Sequence, residues 1–350
     1  MVLDRATTIV RQRDSRQATR SKTLAEISRG IVTLTINPAV DASTSVKNMA
    51  PFTKMRCAPA RRDPGGGGIN VARVLGRLGI DASAIYPAGG ATGQLLGALV
   101  AREGVQGYLV PVRNETREDL TVFDETTREQ FRFVFPGAPL GESEWQECLE
   151  AIARIEPRPA FVIASGSLPA GVPEDFYGRL AQASKAHSKV IVDTSGRFLR
   201  AALERGVYLI KPNLREFQEL AGITASDDAS LIKAGRRLIG RGQIEVIALS
   251  MGPDGALLIT RDLALRANGL PIEPVSVSGA GDSFLAAMVW SLCGNGSLET
   301  ALRYGVAGGS AALLSPGTDL CRPADMHRLV AEVMVRPILS QPALPGPAHE

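Results

Sequence analysis

The chain alternates short, β-branched apolar runs with longer segments in which apolar residues recur at helical spacing. The first run, IVTLTIN, begins at Ile31, and helical patterns follow at residues 69–78 and 93–103. Later strand-like runs, each followed by a helical segment, cover residues 160–164, 190–193, 207–211 and 245–250. Such alternation is typical of a mostly parallel sheet with helices on both faces. We therefore predict an α/β fold with three layers, in which a sheet lies between two layers of helices.

Two segments break this alternation. Residues 41–60 and 117–135 have the pattern of antiparallel ribbons, and in the second ribbon three phenylalanines alternate with polar residues. Strands inserted between the units of a parallel sheet can form a small separate sheet over one of its edges. We predict that these two segments form a small β lid.

Both ends of the chain differ from the part between them. Residues 1–28 are polar and Arg-rich without apolar periodicity, which predicts a disordered extension. Transit peptides share this composition, but they usually avoid acidic residues, and Asp4 and Asp14 are present here. Residues 337–350 contain four prolines and are predicted to be a loose tail. A single domain with its lid is therefore expected over residues 29–336.

Composition excludes several classes of protein. Lys and Arg number 39 against 36 Asp and Glu, so no strongly basic surface for nucleic acid is expected. The four cysteines form no CxxC pair and the three histidines are scattered, which argues against disulfides, a zinc site and a histidine-based triad. A reducing cytoplasm fits this cysteine usage. No apolar run reaches the roughly 18 to 20 residues of a membrane span, and none near the start resembles a signal peptide.

A glycine-rich turn that leads into an apolar helix carries the strongest chemical signal. In SVSGAGDSFLAAMVW, the backbone N–H groups of Gly279, Ala280 and Gly281 are expected at a helix N-terminus, where they would form an anion site. Asp282 follows in the first turn, and its carboxylate could take the proton from an attacking hydroxyl. Taken alone, this carboxylate could equally serve only to satisfy the helix dipole.

A second motif, DPGGGGINVARVLGRLG, places four glycines before an amphipathic helix. Backbone without side chains at Gly66, Gly67 and Gly68 lets a ligand approach closely, and Asn70 offers both a donor and an acceptor to sugar hydroxyls. The motif lacks the GK[ST] ending of a nucleotide-binding P-loop and the GxGxxG spacing of a dinucleotide fold. By itself it could also be a surface turn.

A third motif, KPNLREFQELAG, follows an apolar run. Asn213 and Glu216 have the spacing of a helix capping box, which is a purely structural explanation. A functional role for Glu216, compatible with capping, is to orient water bound to Mg²⁺, because Mg²⁺ keeps several waters and takes few protein ligands.

Six motifs, taken in order along most of the chain, resemble those of the PfkB family of carbohydrate kinases. They are TLTINPAVD, PGGGGINVAR, SGSLPAGV, KPNLREF, SMGPDGAL and GAGDSF. Within the family, AGGATG at residues 88–93 and the basic segment at residues 54–57 are similar to the minor type of 6-phosphofructokinase. The resemblance implies a ribokinase-like fold, the use of ATP and Mg²⁺, and a catalytic aspartate in the GAGD turn, which is Asp282.

The resemblance also implies roles for individual residues. The sugar hydroxyls would be held by Asp41, Gly66, Gly67, Gly68 and Asn70, with Ser167 alongside. The phosphate of the substrate would be held by Lys54 and Arg117, with Arg56 and Arg132 as weaker candidates. The nucleotide would be bordered by Lys211, Asn213, Ser250, Gly252 and Gly255.

Many relatives also have a monovalent-cation loop, which the resemblance would place, as a K⁺ site, around Ser276, Ser278, Ala312, Ser315 and Gly317. This chain departs from the pattern at two points. A serine precedes the GAGD turn where many relatives have threonine, and Asp319 stands where the similar type has a basic residue. Backbone ligands tolerate such changes, so the K⁺ site stays an expectation.

These observations lead us to expect an ATP-dependent phosphorylation of fructose 6-phosphate at its C1 hydroxyl. Tagatose 6-phosphate and fructose 1-phosphate remain open as acceptors, because the sequence does not fix which sugar carbon faces the basic residues. A non-catalytic sugar-phosphate sensor is disfavoured by intact Asp282, Glu216 and Asn213. An NAD-binding oxidoreductase is disfavoured because no GxGxxG follows the first strand. A homodimer through the lid is expected, since an exposed β face needs cover.

Overall fold

The structure is a computed structural model and describes residues 30–338. Within these residues, ten strands form one large sheet, and the strands are numbered here in chain order. In spatial order they are β14 (Val335–Pro337), β13 (Ala264–Ala267), β12 (Ala256–Ile259), β11 (Ile244–Ser250), β10 (Val207–Ile210), β9 (Lys189–Asp193), β8 (Phe161–Ser165), β1 (Ile31–Leu34), β4 (Ala82–Ala88) and β5 (Gln106–Pro111). Neighbouring strands from β11 to β5 are parallel, and the three pairs at the β14 end are antiparallel.

Helices cover both faces of this sheet, which confirms the predicted three layers. One face packs against α1 (Gly67–Arg77), α2 (Gly90–Arg102), α8 (Ala280–Cys293), α9 (Leu298–Leu313) and α10 (Pro323–Leu329). The other face packs against α3 (Glu142–Ala153), α4 (Phe176–Ser184), α5 (Gly196–Leu203), α6 (Leu214–Ala221) and α7 (Asp228–Gly240). Because side chains alternate along a strand, Ile31 belongs to one apolar core and Val32 to the other.

A separate sheet of four strands forms the lid. Its order is β3-β2-β6-β7, from β3 (Arg61–Gly65), β2 (Ala39–Val46), β6 (Arg117–Asp124) and β7 (Gln130–Phe133). The pairs β2–β3 and β6–β7 are antiparallel, as predicted, and the two hairpins are joined by parallel pairing of β2 with β6. Residues 47–60 of the first predicted ribbon contain no strand.

Several boundaries differ from the sequence prediction. Helix α1 begins at Gly67 rather than residue 69, and α2 begins at Gly90 rather than residue 93. Both first turns contain glycine, whose low helix propensity argues against a helix in the sequence. The last strand, β14, pairs with β13 and extends one residue into the predicted tail. The predicted extension and the tail beyond residue 338 lie outside the described residues. Among residues 30–338, no helix has the length and apolar character needed to cross a membrane.

The strand order creates a crevice at one edge of the large sheet. Strand β1 lies between β4 and β8, so the chain moves to one side of β1 and later to the other. In open parallel sheets, ligands bind beyond the carboxyl ends of the strands at such a switch point. The lid is placed at this same edge because β2 follows β1 and β6 follows β5.

Candidate active site

A cavity of about 530 Å³ lies between the lid and the carboxyl ends of β1, β8 and β9. Its lining combines residues of the lid, the glycine run, the strand ends and the start of α8. The lining includes Asn37, Asp41, Gly66, Gly67, Asn70, Arg117, Asp119, Arg132, Ser165, Ser167, Asp193, Glu216, Ser278, Gly279, Asp282 and Thr318. Sequence motifs that lie more than 200 residues apart therefore meet in one place.

The GAGD turn starts helix α8, as predicted. Gly279 is the N-cap and has a left-handed φ of 74°, a conformation that favours glycine. The first N–H groups of a helix have no partner within it, so this end can bind an anion. A Cβ atom at Gly281 would lie 3.1 Å from Nζ of Lys211, so glycine here lets the ammonium group approach the helix start.

Asp282 lies in the first turn of α8, and a side chain of α1 holds its carboxylate by a hydrogen bond. Nδ2 of Asn70 donates a hydrogen bond of 2.8 Å to Oδ2 of Asp282. Burial raises the pKa of Asp282 above its usual range, while the Asn70 hydrogen bond and the charges of Lys211 and Arg132 work in the opposite direction. A carboxylate with a raised pKa inside a cavity is suited to accept a proton from an alcohol.

A buried ion pair lies beside Asp282. Nζ of Lys211, at the end of β10, is 3.3 Å from Oδ1 of Asp193, at the end of β9. Burial alone would lower the pKa of Lys211, but the nearby carboxylates of Asp193, Asp282 and Glu216 outweigh it and raise this pKa. Burial raises the pKa of Asp193 to about 6. The lysine therefore stays charged at the start of α8.

The cavity lining also carries groups suited to sugar hydroxyls. Burial raises the pKa of Asp41 to about 6, with Arg132 acting against this shift. Nδ2 of Asn37 donates to Oγ of Ser167 at 3.0 Å. A Cβ atom at Gly67 would lie only 2.0 Å from Oγ of Ser165, so the glycine is required by close packing.

Gly68 serves packing rather than the cavity surface. A Cβ atom there would lie 2.6 Å from the carbonyl oxygen of Leu34 and from Oγ1 of Thr35, and the residue is not part of the lining. The glycine run thus has two uses. Gly66 and Gly67 face the cavity, and Gly68 lets α1 pack against β1.

The predicted phosphate-binding residues separate into two groups. Arg117 and Arg132 lie in the cavity lining, and the Arg117 guanidinium donates to the carbonyl oxygens of Phe135 (2.8 Å) and Asn37 (3.2 Å). Lys54 and Arg56 lie in the exposed segment of residues 51–60 and do not line the cavity. The structure therefore brings Arg117 to the site and leaves Lys54 outside it.

The predicted nucleotide residues lie next to one another beyond Glu216. The capping box is present, since the Asn213 side chain accepts from Glu216 N (2.9 Å) and the Glu216 carboxylate accepts from Asn213 N (3.0 Å). Asn213 also forms a bridge to Ser250. After β11, Gly252 and Gly255 take left-handed φ values of 57° and 87° in a tight turn. The cavity lining includes Glu216 but none of the five predicted nucleotide residues.

The segments of the predicted cation loop are adjacent. Oγ of Ser276 donates to the carbonyl oxygen of Gly317 at 3.0 Å and accepts from Ser278 N at 3.3 Å. Oγ of Ser315, after Ala312 at the end of α9, is buried and has no hydrogen-bond partner among the described residues. An unsatisfied buried hydroxyl in this segment is compatible with a cation. Asp319, the departure noted above, is instead paired with Arg61 and Arg322.

Sequence reasoning missed several cavity residues. Asp193 ends β9, and its position at the carboxyl end of a parallel strand was a usable signal. Asp119 and Thr318 reach the cavity only through lid pairing and the loop after α9, which no local pattern indicates. Among the described residues, no group of three or more His, Cys, Asp or Glu is arranged to hold a metal ion.

Comparisons with known proteins agree with this geometry. The sequence model described as "pfkB family carbohydrate kinase" matches residues 31–325. The chain is 44% identical over 299 residues to the ATP-dependent 6-phosphofructokinase isozyme 2 of Mycobacterium tuberculosis, which covers 85% of this chain and 88% of that protein. It is 41% identical over 303 residues to the protein of the same name from Escherichia coli, covering 86% of this chain and 98% of that protein.

A solved structure shares the fold. The crystal structure of phosphofructokinase-2 from Escherichia coli in complex with fructose-6-phosphate matches with a TM-score of 0.82 and 39% identity, covering 87% of this chain and 99% of that one. The family match over most of the chain, together with relatives above 40% identity, confirms the resemblance seen in the six motifs. The chain therefore belongs to the pfkB family of carbohydrate kinases.

Proposed function

We propose that this chain transfers the γ-phosphoryl group of ATP to the C1 hydroxyl of fructose 6-phosphate, giving fructose 1,6-bisphosphate and ADP. The observation that carries the proposal is the position of Asp282, at the start of α8 and inside a cavity that also contains Arg117 and Arg132. A base, an anion site and cationic groups are the parts that phosphoryl transfer to a sugar phosphate needs. The names of the Mycobacterium tuberculosis and Escherichia coli relatives support the same reaction.

In this mechanism Asp282 accepts the proton of the acceptor hydroxyl as that oxygen attacks phosphorus. Oδ2 is held by Asn70, and Oδ1 is the oxygen left to take the proton. The N–H groups at the start of α8 and the Lys211 ammonium stabilise negative charge on the transferring group. Asp41 and Asn70 orient the sugar hydroxyls, and Arg117 binds the phosphate already on the sugar.

ATP and Mg²⁺ are the proposed co-substrate and metal. Bound Mg²⁺ would neutralise charge on the phosphates, and Glu216 would orient its waters. This role is supported by the Glu216 carboxylate, which caps α6 and lines the cavity. The nucleotide would lie along Lys211, Asn213, Ser250, Gly252 and Gly255. For the K⁺ site, support comes from the buried Ser315 hydroxyl and from an Escherichia coli phosphofructokinase-2 structure in complex with potassium.

The sugar is tested with a panel of acceptors. Purified protein, ATP and Mg²⁺ are combined with fructose 6-phosphate, tagatose 6-phosphate, fructose 1-phosphate or fructose, and ADP release is followed in a coupled assay. We expect the highest kcat/KM for fructose 6-phosphate. A preference for fructose 1-phosphate would instead favour a 1-phosphofructokinase activity. That alternative is supported by the similarity to a 1-phosphofructokinase from Xanthomonas campestris at 33% identity. No ADP release with any sugar would refute a kinase function.

We also propose a homodimer formed through the lid. Phe133, Val134 and Phe135, at the end of β7, are 44%, 59% and 52% exposed, and such an apolar edge is stabilised when a second copy covers it. An Escherichia coli phosphofructokinase-2 structure described as a tetrameric inhibited form supports self-association in the family. Light scattering of the purified chain and of a Phe135→Ser variant tests this.

A further inference from the structure

Arg73, on helix α1, is buried although its charge would normally keep it at the surface. Its side chain has no measurable exposure. Arginine is almost never fully buried unless it is paired. Its position on α1 is one turn after Asn70, so the two side chains lie on the same face of the helix.

The contacts of Arg73 connect the glycine run, Asn70 and a buried acid. Nη1 donates to the carbonyl oxygen of Pro64 at 3.1 Å and to Oδ1 of Asn70 at 3.2 Å. Nε lies 3.3 Å from Oε2 of Glu103, which compensates the positive charge. Glu103 also pairs with Arg77 at 2.8 Å. A side chain that only stabilised the helix would not need to lie against the amide of Asn70.

This arrangement fixes which way the Asn70 amide points. A guanidinium only donates hydrogen bonds, so the Asn70 atom that faces Arg73 must be the oxygen. The NH₂ group is then directed at Asp282, to which it donates at 2.8 Å. If the amide were reversed, its oxygen would face a carboxylate oxygen and its NH₂ group would face the guanidinium. Both contacts would be repulsive.

The orientation determines which oxygen of Asp282 is available. Oδ2 accepts the Asn70 hydrogen bond. Oδ1 lies on the side of Gly67, 3.2 Å from where a Cβ atom would be, and Gly67 lines the cavity. The free oxygen is thus the one that faces the substrate space.

We propose that Arg73 is a positioning residue for the catalytic base, and that it acts through Asn70 by holding the amide so that it donates to Asp282. This inference rests on the proposed phosphoryl transfer and adds a residue to its machinery. Arg73 is not part of the cavity lining and contacts it through Asn70, and no hydrogen bond joins Arg73 to Asp282. Its effect on the reaction is therefore indirect, through the Asn70 amide.

Other charges face Asp282 and must be separated from this effect. Lys211 and Arg132 lie near it from β10 and the lid, and Asp193 lies near it from β9. Arg73 itself also lowers the pKa of Asp282 through its charge, although burial is the largest influence and raises that pKa. A single substitution at Arg73 therefore cannot distinguish a direct electrostatic effect from an effect through Asn70.

A double-mutant cycle makes this distinction. The pH dependence of kcat for fructose 6-phosphate is measured for the wild type, Arg73→Met, Asn70→Ala and the double variant. Arg73→Met should lower kcat at neutral pH about 10- to 100-fold and move the acid limb of the profile to higher pH, because Asp282 loses an oriented donor. In the Asn70→Ala background, Arg73→Met should change kcat by less than about twofold, and the limb should move much less, because only the direct effect of the Arg73 charge is then lost.

Two further variants keep the test decisive. Arg77→Met is the matched control, because Arg77 pairs with the same Glu103 but does not contact Asn70, and its acid limb should stay at the wild-type pH. Arg73→Lys keeps a charged donor and should restore most of the activity. If Arg73→Met does not fold, the cycle is made with Arg73→Met and Glu103→Met together, which removes both charges of the buried pair.

The outcomes separate the two proposals. Equal effects of Arg73→Met with and without Asn70 would overturn the role through Asn70, and so would an acid limb that does not move. A wild type that releases no ADP with any sugar phosphate would instead refute the proposed function. An active wild type with a non-additive cycle supports both.

Discussion

Replacing Thr318 by valine removes one buried hydrogen bond between the main domain and the lid. Oγ1 of Thr318 donates to Oδ2 of Asp63 at 3.1 Å, across 255 residues of sequence. Thr318 is 8% exposed and Asp63 is 1% exposed. Asp63 belongs to β3 of the lid, where its backbone lies opposite that of Asp41 in β2. The hydrogen bond from Thr318 therefore helps hold the lid over the cavity.

The expected loss of stability follows from the partners of Asp63. Valine has nearly the same shape as threonine, so no cavity forms and the change is confined to the lost donor. Leaving a buried acceptor without its donor costs about 1 to 3 kcal/mol. Oδ2 also lies 2.9 Å from Nε of Arg61, which is 44% exposed and thus compensates only in part. We therefore expect Thr318→Val to lower the free energy of unfolding by about 2 kcal/mol.

Urea unfolding measures this change, with Thr53→Val as the matched control. Thr53 is exposed and its hydroxyl donates to Pro51 O at 3.2 Å at the surface, so its loss should cost no more than about 0.5 kcal/mol. The urea dependence of the free energy should be the same in both variants, since neither exposes new surface. Equal midpoints for Thr318→Val and Thr53→Val would refute the reasoning.

Three further outcomes are expected. Gly67→Ala should lower kcat/KM about 100-fold, because its Cβ atom would lie 2.0 Å from Oγ of Ser165 and displace the residues around it. Gly76→Ala on the same helix is the control, since a Cβ atom there has open space and activity should be unchanged. Arg117→Met should raise KM for the sugar phosphate about 10- to 100-fold with little change in kcat, since it removes charge-assisted hydrogen bonds. Because Asp41 has a pKa of about 6 and binds hydroxyls best as the anion, kcat/KM should rise with pH through about 6 and then level off.

Each of these outcomes has a clear opposite. Gly67→Ala with wild-type kcat/KM would show that the glycine is not required by close packing. A fall in kcat without a change in KM would place Arg117 in the chemical step rather than in phosphate binding. A pH profile that is flat from 5 to 7 would contradict an ionised Asp41 as the binding form.

The parts of the fold and site that could be predicted are those encoded by local patterns. Alternating strands and helices predicted the three layers, and the GAGD turn before an apolar run predicted the start of α8 with Asp282 in its first turn. The capping box at Asn213 and Glu216 was predicted from spacing alone and is present. Each of these features depends on residues within one or two turns of each other.

The features that escaped prediction depend on long-range packing. The parallel pairing of β2 with β6 joins strands about 80 residues apart, and neither strand shows its partner. Arg73 interrupts an apolar helix face and would be expected in solvent. Its side chain is instead buried, and its charge is compensated by Glu103 while it donates a hydrogen bond to Asn70. Lys54, chosen for its charge in a basic segment, lies in an exposed segment outside the cavity, because no local pattern fixes how that loop is placed.

The role of Asp282 as the base is tested most directly by Asp282→Asn, which keeps the size of the side chain and one oxygen that can accept from Asn70, and removes its charge. The measurement is kcat for ATP-dependent phosphorylation of fructose 6-phosphate, with circular dichroism and nucleotide binding to show that the variant is folded. The account predicts a fall in kcat of about 10²- to 10⁴-fold at unchanged nucleotide affinity. A folded Asp282→Asn variant with near wild-type kcat would contradict it.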